Sequence, residues 1–515
     1  MSGQSDTSGS GHVARGSGGG GGRSSSGQGG PPRGTRGPGQ AGRAGSGPRP
    51  GGPGTVDPVR RAVFDVLIAV TSRYAYANLL LPKLLTERAI SGRDAAFATE
   101  LTYGTLRTRG TLDAIVVAAS SRPLADIDPR VLEMLRLGAY QLLYTRVPAH
   151  AAVDSTVGVA RVALTDGPAR FVNAVLRRVA EHDEKAWLSA VLPDRAVDPV
   201  AHLAVRYSHP EWIVRTFADT LGERDGELVE TAAALVANNE RPIVQLLARP
   251  GRITRDELAA QVTGEPGALS PYTVTLATGG DPSGLAAIGH GQAAVQDEGS
   301  QLVALALAVA PLNGTDARWL DMCAGPGGKA ALLAGLAAER AAALTAMEIA
   351  EHRTELVRQA LAGTEATVLC ADAREVGAHP ELPEAGFDRV LVDAPCTGLG
   401  ALRRRPEARW RRQPSDIPQL ATLQRELLAA AVSAVRPGGV ICYATCSPHI
   451  AETKVPVADA MRRFGLETLD APALLRSITG DGELAVGSGS TAQLWPHRHG
   501  TDAMFIALLR RPVDG

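Results

Sequence analysis

Asp321-Met322-Cys323-Ala324-Gly325-Pro326-Gly327-Gly328-Lys329 is preceded by the strand-like Arg318-Trp319-Leu320 and followed by a helical run from Ala330 to Leu336. Gly325, Gly327 and Gly328 allow the backbone to turn tightly and to approach a ligand closely. The segment therefore reads as a strand-to-helix nucleotide-binding turn. It is not a phosphate-cradling P-loop, because Ala330 stands where that loop has the hydroxyl that holds magnesium. The expected ligand bears an adenosine without a triphosphate.

Outward from this turn, strand and helix alternate in the pattern of a mostly parallel sheet covered by helices. Strands are expected at Arg318 to Asp321, Ala342 to Glu348, Ala366 to Cys370, Arg389 to Asp393, Val440 to Thr445 and, as a late return strand, Met504 to Leu509. Helices are expected at Ser300 to Val309, Ala330 to Leu336, His352 to Leu361 and Leu420 to Val435. Ligands of such sheets bind beyond the C-terminal strand ends, so acids placed there matter most. Asp321 ends the first strand and braces the glycine turn. Glu348 follows Gly328 by 20 residues, the spacing at which a carboxylate reaches ribose hydroxyls. Asp372 is placed to accept from an adenine amino group, and Asp393 ends the fourth strand. Each alone would also serve as a helix cap; four in register after a glycine turn point to a cofactor site.

Two cysteines stand just past strand ends on the same rim, in Asp393-Ala394-Pro395-Cys396-Thr397-Gly398 and Tyr443-Ala444-Thr445-Cys446-Ser447-Pro448. A thiolate is a good nucleophile near neutral pH and a good leaving group, which suits covalent attack followed by release. Cys370 and Cys442 read as small buried hydrophobes. The five cysteines contain no Cys-x-x-Cys pair, so no metal is expected, and their odd number fits a reducing cytoplasm. Directly after the Pro-Cys loop, Arg403, Arg404, Arg405, Arg409, Arg411 and Arg412 face one acid, Glu407, which reads as an RNA phosphate clamp.

The chain has 515 residues, is 44% apolar and carries a formal charge of −1, which allows about three domains and argues against a uniformly basic coat. Residues 1–54 hold six arginines, one acid and no aromatic residue, and are expected to be a disordered cationic tail. Helical periodicity begins at Asp57, with Val59, Ala62, Val63, Val66, Leu67 and Val70 on one face. Further helices are expected at Ala95 to Arg109, Thr111 to Ala119, Pro129 to Thr145, Ala151 to Leu164 and Pro168 to His182, giving an all-α domain over residues 55–185. Residues 186–290 read as a small α/β connector, and residues 291–515 as the catalytic domain. No apolar run approaches the ~20 residues of a membrane span, so a soluble, cytoplasmic protein is expected.

Within the helical part, Arg93-Asp94-x-x-Phe97-Ala98-x-Glu100-Leu101, Leu135-Arg136-Leu137-Gly138-Ala139-Tyr140-Gln141-Leu142 and Phe171-Val172-Asn173-Ala174-Val175-Leu176-Arg177-Arg178 resemble the NusB-like RNA-binding domain. The apolar positions would serve a bundle core in any case. Arg93, Arg107, Arg109, Arg177 and Arg178 are the candidate phosphate contacts.

The catalytic part resembles the RsmB/Sun (Fmu) family of ribosomal RNA cytosine-5 methyltransferases. The matching segments are Val295-Gln296-Asp297-Glu298-Gly299-Ser300-Gln301, the glycine turn, Glu348-Ile349-Ala350-Glu351-His352-Arg353, Ala371-Asp372-Ala373, the Pro-Cys and Thr-Cys-Ser loops, and Pro496-His497-x-His499-Gly500-Thr501-Asp502. The resemblance implies a Rossmann-like methyltransferase domain using S-adenosyl-L-methionine. Cys323 to Lys329 would surround its methionine and ribose portions, Glu348 the ribose, Asp372 the adenine, and Asp393 the sulfonium and the target base. Cys446 would attack carbon 6 of cytosine, and Cys396 would help the adduct break down. In DNA cytosine-5 methyltransferases the Pro-Cys cysteine is the nucleophile; the presence of both cysteines favours RNA.

The implied partner is small-subunit (16S) ribosomal RNA, and a monomer is expected. Transfer RNA, another ribosomal site, or a non-catalytic RNA-binding assembly role are the alternatives. Two positions depart from the family pattern. Glu452 is followed by Thr453 rather than Asn, and residue 504 is Met rather than aromatic.

Overall fold

Residues 56–223, 226–276 and 282–513 are described by the structure, a computed structural model. The expected disordered tail lies outside them.

Pro58 occupies the first helical position and the Asp57 side chain accepts from the Arg60 N–H, so helix Pro58–Ser72 begins where its capping residues signal it. Its six predicted core positions are all buried. They pack with helices Gly92–Arg107, Arg109–Ser120, Pro129–Tyr144, Ala149–Ala163 and Asp166–Val179 around one apolar cluster that includes Leu101, Ile115, Leu135 and Leu176. Burying each of these side chains contributes roughly 1.5–3 kcal/mol before entropy is counted. Helix Ala77–Glu87 was not anticipated. It carries Pro82 internally; Ala77 and Leu81 are buried and Leu80, Leu84 and Leu85 pack partly buried on the same core, so it has an apolar face at helical spacing that the internal proline obscures.

The connector holds a second sheet. Strands β1 (Gln245–Ala248), β2 (Gly264–Pro266), β3 (Thr273–Leu276) and β4 (Ala293–Val295) pair antiparallel in the order β2-β3-β1-β4. The three-residue strands β2 and β4 are too short to show an alternating pattern. Glu298, at the start of helix Glu298–Val309, accepts from the N–H groups of Leu269 and Ser270 at 2.9 and 3.0 Å and from Gln245 Nε2 at 3.0 Å. That one buried carboxylate fastens the connector sheet to the catalytic part.

The catalytic sheet comprises β5 (Arg318–Asp321), β6 (Ala343–Glu348), β7 (Thr367–Cys370), β8 (Phe387–Asp393), β9 (Val435–Thr445), β10 (Glu467–Leu469), β11 (Thr491–Gln493) and β12 (Phe505–Arg510). Its order is β10-β12-β9-β8-β5-β6-β7, with β11 paired to β12. Strands β5 to β9 run parallel, while β10, β11 and β12 are antiparallel additions. This is the expected Rossmann-like fold with a return strand. The chain leaves β5 to β6 on one side and comes back through β8 on the other, so a crevice opens beyond the C-terminal ends of β5 and β8. Helices Glu298–Val309 and Gly328–Ala338 share one buried face of the sheet with Trp319, Ala346 and Leu391, and helix Ile417–Ala434 covers the other with Val390, Val392 and Ile441. Strands β10 and β11 escaped the sequence reading because each is only three residues long.

Candidate active site

The glycine turn leads from β5 into helix Gly328–Ala338. Gly327 has φ 108°, and a Cβ there would lie 2.5 Å from the Cβ of Ala360, so only glycine fits. Beneath the turn Asp321 is fully buried. Its Oδ1 accepts from the Cys323 N–H at 3.3 Å, while Oδ2 has no partner. Burial first, and the Asp393 charge second, push its carboxyl up to about 7. Lys329 Nζ donates to Asp393 Oδ2 at 2.8 Å across the crevice. Burial disfavours the Lys329 ammonium, but the Asp393 carboxylate outweighs that and moves it upward.

The other two acids stand where the strand ends predict them. Glu348 ends β6, accepts from the Ala350 N–H at 3.0 Å and pairs with Arg353 at 3.2 Å, while Arg353 Nη2 also donates to Gly325 O at 2.6 Å. Arg353 thus joins Glu348 to the glycine turn, a link that no local sequence pattern signals. Asp372 follows β7 and accepts from Arg374 at 2.6 Å, and this hydrogen bond holds its carboxyl below the ordinary value against a smaller burial effect.

Strands β8 and β9 pair with Asp393 level with Ala444, so the loops that follow them rise side by side. Cys396 and Cys446 face each other with their Sγ atoms 3.4 Å apart. The hydrogen bond from Cys396 lowers the Cys446 thiol pKa, with burial and Asp393 opposing and Lys329 assisting. The contact with Cys446 first, and burial second, push the Cys396 thiol well up. The contact thus favours ionisation of Cys446 over ionisation of Cys396. Cys442 is buried, as expected of a core cysteine, and is raised by burial. Cys370 is exposed rather than buried, at the sheet edge that β7 forms.

Glu452 holds the two cysteine loops together. Its Oε1 accepts from the Thr397 N–H at 2.8 Å, and its Oε2 accepts from Thr397 Oγ1 at 2.5 Å and Ser447 Oγ at 2.7 Å. Gln424, buried in helix Ile417–Ala434, donates to Pro395 O at 2.9 Å and to Glu452 Oε1 at 3.3 Å. The signal for Gln424 was present as a polar residue within the apolar stripe of Leu420, Leu427 and Leu428. Thr453 turns its hydroxyl back to His449 O at 3.0 Å, so the departure at this position does not touch the cysteines. Met504 is buried, with its Cγ against Gly299.

The arginine run requires a correction. Arg403 and Arg404 both donate to Asp297 Oδ2, at 2.8 and 2.6 Å, and both reach Asp502 Oδ1, at 2.8 and 3.0 Å. Arg409 is fully buried and donates to Asn239 Oδ1 and Asn238 O at 2.7 Å, and to Arg107 O and Ser208 O at 3.2 Å. Arg411 donates to Val70 O at 3.0 Å and Ala75 O at 2.5 Å. Buried Arg403 and Arg409 therefore brace the protein rather than clamp phosphate, and the partly exposed Arg404 and Arg411 are also held by acceptors about 100 to 340 residues away in sequence. Arg405 is exposed over the Tyr76 ring, and Arg412 is half-buried, donating to Thr397 O at 3.2 Å. Among the helical-domain candidates, Arg93, Arg177 and Arg178 are exposed, whereas Arg107 and Arg109 are half-buried.

Among the described residues, no cluster of His, Cys, Asp or Glu could hold a metal, and no helix is long and apolar enough to cross a membrane. The rim offers an uncapped helix start, an unpartnered buried carboxylate oxygen and acids at successive strand ends. That donor and acceptor set fits an adenosyl group with an amino-acid tail.

Comparison with known proteins agrees with this geometry. Residues 306–510 match the family model described as 16S rRNA methyltransferase RsmB/F, and residues 57–181 match the NusB family. A Mycobacterium tuberculosis protein named "Putative methyltransferase Rv1407" is 56% identical over 90% of this chain and 99% of its own length. The ribosomal RNA small subunit methyltransferase B of Pseudomonas putida is 35% identical over 80% of this chain and 91% of its own. The crystal structure of PH0851 superposes with a TM-score of 0.73 at 20% identity, covering 88% of this chain and 99% of that one, which shows a shared fold. The chain belongs to the RsmB/F family of 16S rRNA methyltransferases and carries a NusB-family domain ahead of its catalytic fold.

Proposed function

We propose that this protein methylates carbon 5 of a cytosine in 16S ribosomal RNA, with S-adenosyl-L-methionine as methyl donor and a covalent Cys446 adduct as intermediate. The observation that carries this reading is the juxtaposed Cys396–Cys446 pair, 3.4 Å apart beside the Lys329–Asp393 ion pair. Carbon 5 of cytosine is a poor nucleophile. Addition of the Cys446 thiolate to carbon 6 breaks the 5,6 double bond and moves its electron pair toward carbon 5. In this reading the ring nitrogen takes up a proton from solvent as negative charge develops there, and Asp393 accepts a hydrogen bond from it. The bound cofactor supplies an electrophilic methyl group.

After transfer, a base takes the carbon 5 proton, the C–H electron pair restores the 5,6 double bond, and Cys446 leaves as a thiolate. That Cys396 is held against Cys446 by Glu452 through Thr397 and Ser447 supports a role for it in this breakdown. A base stacked in a helix cannot reach either thiol, so the target must be unpaired or flipped out. The NusB-family domain and the name of the Pseudomonas relative support a small-subunit RNA substrate.

Methyl transfer from labelled cofactor to unmodified 16S RNA is expected to be abolished in Cys446→Ala. Bisulfite sequencing of a strain lacking the protein is expected to reveal one newly unprotected cytosine in 16S RNA. Transfer retained by Cys446→Ala would refute the mechanism, and loss of protection only in a transfer RNA would refute the substrate.

A further inference from the structure

Gln296 has no role in the site described above. Its N–H donates to Gln245 O at 3.0 Å and its carbonyl accepts from Gln301 Nε2 at 3.2 Å, so its backbone is fixed between β4 and helix Glu298–Val309. The side chain is only 7% exposed, yet neither Nε2 nor Oε1 has a hydrogen-bond partner. A Cβ built on Gly328 would meet Gln296 Nε2 at 3.6 Å, which places the carboxamide against the first turn of helix Gly328–Ala338. That helix begins at Gly327 without a side-chain cap. Its N-terminal N–H groups and their partial positive charge therefore face the same space as the amide. Buried polar groups in native structures are nearly always hydrogen-bonded, so two unpartnered atoms on one side chain beside an uncapped helix start indicate a ligand.

The chemistry of the amide narrows the ligand. A phosphate offers only acceptors and would leave Oε1 without a donor. A zwitterionic amino acid offers carboxylate and ammonium on one carbon, so it can satisfy the donor and acceptor halves of the amide together. We propose that Gln296 and the first turn of helix Gly328–Ala338 hold the amino-acid end of the methyl donor, with Nε2 donating to its carboxylate and Oε1 accepting from its ammonium. This inference rests on the methyl-donor reading above and assigns Gln296 as a binding residue of that site.

Calorimetry on the full chain tests it with two ligands, S-adenosylhomocysteine and 5′-methylthioadenosine, which lacks the amino-acid end. Gln296→Met is expected to weaken S-adenosylhomocysteine about tenfold or more while leaving methylthioadenosine unchanged. Gln296→Glu, which sets a carboxylate against a carboxylate, is expected to weaken the first ligand about a hundredfold. Because Gln296→Met removes two unpartnered buried polar atoms, the melting temperature of the ligand-free protein is expected to rise. A merely structural Gln296 would lower stability and the affinity for both ligands together. That result, or wild-type affinity for both ligands in Gln296→Met, would overturn the assignment. A wild-type protein that binds neither ligand would overturn the methyl-donor reading itself.

Discussion

Both carboxylate oxygens of Glu452 are committed to the two cysteine loops, and the side chain is fully buried. Hydrogen bonds from Thr397, Ser447 and Gln424 compensate the charge, so this residue fixes the separation of Cys396 and Cys446 without itself meeting the substrate. Asp321 differs, because its Oδ2 has no partner and its carboxyl is raised from 3.8 to about 7. Between those values the folded chain holds a proton that the unfolded chain has released. The stability from this group is fully present below the ordinary carboxylate value and is lost as pH rises through about 7, at up to roughly 1.4 kcal/mol per pH unit. Urea unfolding at pH 5 and pH 8 is expected to show a smaller loss of stability in Asp321→Asn than in the wild type. Equal losses in the two proteins would show that Asp321 is not the proton holder. The strand-end residues Asp321, Glu348, Asp372, Asp393, Cys396 and Cys446 were legible because each sits within a few residues of a recognisable strand. Apart from Ser447, the partners of the Glu452 and Gln424 side chains lie 28 to 55 residues away, so although Gln424 stands out as a polar residue in an apolar stripe, no local pattern announces what it meets.

At the level of elements, the segment from Arg403 to Arg412 does structural work that its charge concealed. It leaves the Pro-Cys loop, meets Asp297 and Asp502 beside Cys446, and ends among carbonyl groups of the helical domain. Gly400 fixes its start, donating to Cys446 O at 2.8 Å and accepting from the Ala503 N–H at 2.9 Å. A run of like charges reads as a solvated or phosphate-binding surface only while its acceptors are unknown. Arg409→Met keeps the apolar stem but strands four acceptors inside the protein. It is expected to lower stability by roughly 3 kcal/mol or more in denaturant unfolding. Arg405→Ala is expected to leave stability within about 0.5 kcal/mol of wild type. Equal stability of the two variants would contradict the bracing role. The regular helices and the parallel strands were legible from periodicity. The three-residue strands were not, since they are too short to show a pattern, and helix Ala77–Glu87 was not, since Pro82 argues against a helix although its apolar residues keep helical spacing.

Across the whole molecule, the helical domain and the catalytic sheet meet through the segment that follows Cys396. Arg409 and Arg411 bond to the backbone of the helical domain, and the Ala77 N–H reaches Glu407 Oε1 at 3.4 Å. Leu399 and Leu402 of the same segment share a buried cluster with Leu203, Phe217 and Leu235. The NusB-family domain is thereby tied to one of the two cysteine loops, an arrangement that neither domain's sequence motif reveals alone. The central claim concerns chemistry on those loops, and a denaturing gel tests it most directly. Cys396→Ala incubated with S-adenosyl-L-methionine and unmodified 16S RNA is expected to give a protein–RNA band that survives denaturation and is absent from the Cys396→Ala, Cys446→Ala double variant. A band that persists without Cys446, or normal release of methylated RNA by Cys396→Ala with no band at all, would contradict the account.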